Sequence, residues 1–160
     1  MDPRLVGLAD ILRLNTKLFR NCLDGLTDEQ AAERPSPDTN SAAFIAAHLA
    51  DSRYFILKLI GDARPSPLGR YLDGAKTIDD VKECPPLSET LAAWTAASHA
   101  IRDRFGTLSA AELDANVNMR LPAVQTVLGI LTFLVQHDSY HLGQLALLRK
   151  YAGLPAMAYT

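Results

Sequence analysis

Cysteine is scarce in this chain: the 160 residues hold only Cys22 and Cys84, with no CxxC spacing. Two such thiols frame no disulfide scaffold, and they read as inert side chains. An excess of one charge is missing too. Sixteen Lys and Arg meet 18 Asp and Glu, for a net charge of −2, and no basic run occurs. That balance excludes the electrostatic footprint of a nucleic-acid binder. Apolar runs of membrane-spanning length are lacking. The nearest, TVLGILTFLVQ (126–136), runs straight into His137 and Asp138. MDPRLVGLAD has neither the basic nor the apolar region of a signal peptide, so a cytoplasmic location is expected. No segment shows the alternation of a strand.

What is present is helical periodicity in a chain long enough for one domain, spanning 1–160, with its own core. Four long helices are predicted. The first runs from about Pro3 to Asp24, with Leu5, Leu8, Leu12, Phe19 and Cys22 on one stripe and Gly25 closing it. The second starts at Asn40 or Ser41 and ends at Gly61. The third is capped by Ser88, turns Leu91, Trp94, Ile101 and Phe105 inward, and stops at Gly106. The fourth begins between Pro122 and Thr126 and ends at Gly153, with Arg149 and Lys150 in its last turn. GLTDEQAAERP (25–35) and TLSAAELDANV (107–117) echo each other as capped, acidic short helices, which reads as two helical hairpins of similar plan. Between them, 61–86 is long enough to travel the length of a bundle, so the second and third helices can run parallel. Its Arg64, Arg70, Tyr71 and Asp73 are candidates for a lid. The expected fold is an all-α four-helix bundle with a long crossover between helices two and three.

Histidine is also rare, which makes HDSYHLGQL (137–145) notable: two of only four histidines stand four apart in an apolar run. On a helix that spacing puts both rings on one face, about 5–6 Å apart at Cβ, within reach of one metal ion. Ile130, Leu134, His137, His141, Gln144 and Leu148 share a stripe, so both rings are expected where the core leucines point. A third ligand must come from elsewhere, because 142–160 contains no Asp, Glu, His or Cys. His48, on a stripe with Ser41, Phe44, Phe55 and Leu59, is the candidate. The competing reading of His48 is a buried histidine bonded to a neighbour. His99 lies off the apolar stripe of its helix and is left out of the set.

One histidine in AAHLADS on the second helix and HxxxHxGQ in HDSYHLGQL on the fourth resemble the DinB/YfiT-like superfamily of metalloenzymes. NTKLFRNCLDGLTDEQ and LLRKYAGLP are similar to the family's first helix and usual ending, so the likeness spans nearly the whole chain. Carried over by position, it implies a metal triad of His48, His137 and His141. Two departures stand out: Leu142 occupies a place where many members have Arg, and Asp138 one where Glu is common.

Three neutral imidazoles leave a divalent ion its full charge and open positions, the pattern of catalytic sites. Zinc, nickel or iron would suit them, and sequence does not choose. Candidate helpers are Asp51, Gln144 and Asn15. Asp51 is either a base or a solvated surface group, Gln144 a hydrogen-bond partner of a ligand or a bridge between helices, and Asn15 a cavity-lining or packing residue. The resemblance implies thiol-dependent S-transferases using a low-molecular-weight thiol, or metal-dependent hydrolases, and commonly a homodimer. The transferase is favoured. A non-catalytic member that binds a ligand or partner is the remaining alternative. HDSYH is one methylene from the HExxH of zinc proteases, but the missing downstream ligand argues against that. The paired Glu-x-x-His motifs of di-iron bundles are absent.

Overall fold

The computed structural model describes residues 1–75 and 77–159. They form helices throughout, with a lone bridge between Asn116 and Thr126 in place of any sheet. The four long helices are α1 (Val6–Leu23), α3 (Ala42–Leu59), α5 (Leu87–Phe105) and α7 (Val127–Tyr151). Between them lie the short α2 (Asp28–Ala32), α4 (Gly69–Leu72) and α6 (Ala110–Asp114).

Local chemistry explains most of the boundaries. Ser41 and Thr126 accept hydrogen bonds from the Phe44 and Gly129 amides and so start α3 and α7. Gly25, Gly61 and Gly153 take positive φ just past α1, α3 and α7, where a side chain would be strained. Capping boxes, Thr27 with Gln30 and Ser109 with Glu112, open α2 and α6, the two segments that echo each other in sequence. α5 differs from expectation. It begins at Leu87 without a side-chain cap of its own, and Asp28 of α2 accepts the Leu87 amide at 2.8 Å instead of Ser88 capping the helix. α7 is 25 residues long, starting at the late end of the predicted range.

Contacts fix the arrangement. Asn15 meets Ser139 and Arg149 reaches the Asp24 carbonyl, so α1 and α7 run parallel. Arg53 meets Ser98 and Arg104 donates to the Ile60 carbonyl, so α3 and α5 run parallel as predicted. His48 opposes His141 and Arg53 opposes Asp138, which sets α3 against α7 in antiparallel fashion. The helices pack in the ring α1–α7–α3–α5. α1 and α3 therefore face each other across a diagonal, as do α5 and α7, and the two sequence halves are not packed hairpins. α3 and α5 lie side by side and parallel because the crossover after α3 returns the chain along the bundle to start α5 beside it. Leu68 anchors this crossover in the core, while Arg70 and Tyr71 both bond Glu89 in the first turn of α5. Arg64 pairs locally with Asp62. Through these bonds Arg64, Arg70 and Tyr71 are held along the bundle between α3 and the first turn of α5.

The core is built on small side chains. Ala43, Ala46, Ala47 and Ala50 bury the inner face of α3, and Phe19 stacks on Trp94 with ring centroids 4.1 Å apart. The space those alanines leave is where a charged pair fits. No helix among the described residues is long and apolar enough to cross a membrane.

Candidate metal centre

His48 on α3 and His137 and His141 on α7 converge. Each offers a ring nitrogen, and these atoms all lie within 4.8 Å of one another. His48 Nε2 and His137 Nε2 are 3.1 Å apart, and the centroids of the His137 and His141 rings are 4.5 Å apart. Two nitrogens each about 2.0–2.1 Å from one tetrahedral ion would lie roughly 3.3–3.4 Å apart. The donor set agrees: it is three imidazoles, with no carboxylate among the described residues joining them. The group could therefore hold a metal ion.

The rings do not lie on the core face, contrary to the expectation from their stripe. All three are half-buried, as are Gln144 and Leu148, and Phe55 on the His48 stripe is exposed. The fully buried stripe of α7 runs one position away, through Leu131, Val135, Asp138, Leu142 and Leu145. That of α3 runs through its alanines to Arg53 and Leu57. The histidines thus line the outer groove between α3 and α7, open to ligands. Aromatic side chains crowd the groove: Phe44 lies 6.3 Å from the His48 ring, Phe133 6.4 Å from His137 and Tyr140 5.1 Å from His141, between centroids.

The surroundings favour uncharged imidazoles. Burial lowers the pKa of His48, and the neighbouring His141 adds to this against the pull of Asp51. Burial, then His141 and His48, push His137 down to about 4. His141 is oriented by Gln144, whose Oε1 lies 2.6 Å from Nδ1. An N–H donated there leaves Nε2 with its lone pair free, the state a ligand needs. Gln144 in turn donates to the Tyr140 hydroxyl. Asp51 acts on His48 through space alone. Asn15, buried, bonds Ser139 of α7 at 3.0 Å and is a packing residue between α1 and α7. His99 is exposed on α5 and lies outside the cluster.

One pair escaped the sequence reading. Arg53 and Asp138, 1% and 0% exposed at their side chains, form an ion pair in the centre of the bundle at 3.1 Å. The Arg53 guanidinium lies 3.3 Å over the Trp94 ring, donates to Thr16 at 2.7 Å and also donates to Ser98. Only one Asp138 oxygen is used, and Oδ1 is buried without a partner. Burial raises the Asp138 pKa against the pull of Arg53. The signal was available: Arg53 follows Ala43, Ala46 and Ala50 in helical register, and Asp138 follows Leu131 and Val135.

The family model of the DinB superfamily matches residues 11–145, which takes in α3, α5, most of α1 and α7, and the three histidines. The chain belongs to the DinB superfamily. A crystal structure of a conserved protein from Enterococcus faecalis is similar in fold, with a TM-score of 0.73 at 16% identity, covering 92% of this chain and 96% of that one. No curated protein matches the sequence significantly. Within this DinB-superfamily fold, Leu142 is buried in the core stripe, so the position where many relatives are expected to carry Arg serves packing here.

Proposed function

We propose that the protein is a metal-dependent enzyme in which His48, His137 and His141 hold a divalent transition ion, zinc, nickel or iron. Its reaction is a thiol-dependent S-transfer with a low-molecular-weight thiol as co-substrate. The observation that carries this reading is the donor set: three imidazoles and no carboxylate, gathered in an open groove instead of the core. A bound ion with three neutral ligands keeps its full charge and free positions, and can acidify a coordinated thiol. The chain's own groups do the rest. Gln144 fixes the His141 ring, the aromatic side chains shelter the groove from water, and Asp51 is the carboxylate whose field reaches the cluster.

Elemental analysis of protein purified without added metal, before and after His137→Ala, tests the centre. The expected result is one ion per chain in the first and none in the second. Bacillithiol or mycothiol should then bind only metal-loaded protein, more tightly as pH rises toward the thiol's own pKa. Ester or amide turnover without any thiol would replace the transferase with a hydrolase. Inactivity of metal-replete protein in both assays would favour a non-catalytic, ligand-binding role. The proposal includes a homodimer, supported by the exposed Ile11 and Leu14 of α1 and Leu147 and Tyr151 of the adjacent α7. A clean monomer mass by light scattering at micromolar concentration would overturn it.

A further inference from the structure

Upstream of His137, α7 carries a groove that the metal centre does not explain. Its volume is about 570 Å³, within the range of small-molecule sites, and one wall is the segment Pro122–Val124. Its floor is the α7 face that presents Leu128, Gly129, Thr132, Phe133 and Gln136. No residue lining it is charged, in a chain that is 21% charged. One lining residue links the groove to the histidines: Phe133 is one turn before His137, and their rings lie 29° from parallel.

The wall is built, not draped. A Cβ on Gly129 would come within 2.2 Å of the Val124 carbonyl oxygen, so only glycine lets this segment rest directly on the helix. Gln125 holds the segment in shape by donating to the Leu121 and Ala123 carbonyls and accepting the Met119 amide. Val124 nevertheless remains 71% exposed at the rim. A rigid, uncharged trough ending beside three ring nitrogens is suited to hold the inert end of a molecule while its reactive end meets the histidines.

We infer that the substrate acted on at the histidine centre carries an uncharged alkyl or aryl group that lies in the groove between Pro122–Val124 and α7. This rests on the metal-centre reading above, and its test separates the two. The probes are straight-chain alkanethiols from methanethiol to hexanethiol, titrated into zinc-loaded protein. Affinity should rise by roughly two- to fourfold for each added methylene, as burial of apolar surface requires. Thr132→Glu, an exposed substitution in the groove, should remove that dependence, with zinc content measured alongside. Affinity independent of chain length, or dependence that survives Thr132→Glu, overturns the groove and leaves the metal centre standing. If the protein takes up no zinc, the metal reading falls and hexanol decides the groove by NMR on metal-free protein. Shifts centred on Leu128, Thr132 and Phe133 uphold apolar binding there, and shifts elsewhere or none overturn it.

Discussion

His137 and Asp138 are neighbours on α7, and His48 and Arg53 lie five residues apart on α3, yet the two pairs do opposite jobs. Arg53 and Asp138 face the core as an ion pair of opposite charge, joined through one Asp138 oxygen, and they close the space they occupy. The histidines are half-buried and bring three like rings together, with burial lowering the pKa of His48 and His137. A helix interface can host both because adjacent residues point about 100° apart. Opposite charge marks the structural pair, and the convergence of like ring nitrogens marks the candidate site.

The largest effect should come from unbalancing the ionic pair. Arg53→Met leaves Asp138 buried and alone, and should cost roughly 3–5 kcal/mol in urea denaturation. Adding Asp138→Leu should recover most of that loss, since two apolar side chains need no partner. A neutral single variant would show that the pair is not the clamp described.

Breaking the histidine cluster should look different. In metal-free protein His137→Ala should change stability by no more than about 1 kcal/mol. Metal at a hundred times its dissociation constant should stabilise the wild type by about 2.7 kcal/mol and the variant not at all, measured as a shift in denaturation midpoint. Gln144→Leu removes the group that orients His141 and should weaken metal affinity by about tenfold in a competition titration.

The last effect is a pH dependence. His137 has a folded pKa of about 4 against an ordinary value of 6.5. Between those values the unfolded chain takes up a proton that the folded protein refuses. Metal-free wild type should therefore lose stability relative to His137→Leu as pH falls from 6.5 toward 4. Parallel curves for the two proteins would show that the ring is not held neutral.

The sequence carried the helices well because their ends are local chemistry, as at Ser41, Thr126, Gly25 and Gly153. It also put His137 and His141 on one face, because helical spacing fixes that relation, while the family resemblance implied His48 beside them; of the two readings of Gln144, the structure has it bonded to His141. It misjudged which face was buried. α3 and α7 carry apolar residues on several sides: Ile130 and Leu134 of the expected stripe are buried, but the buried face shifts toward the alanines of α3 and Asp138 of α7 and leaves the histidines half-buried. Arg53 was missed because a charged residue reads as surface until its partner on another helix is in view. The Asp28 cap on α5 is tertiary in the same way.

The ring order α1–α7–α3–α5 has a kinetic consequence. In an up-and-down bundle each helix can fold onto its successor across a short loop, and assembly proceeds by local steps. Here α1 must wait for α5 and α7 before it finds a neighbour along its length, and α3 meets α5 only after the 61–86 strap has been closed. Loop-closure entropy therefore precedes most of the stabilising contacts, and this all-α chain should fold more slowly than its helix content implies.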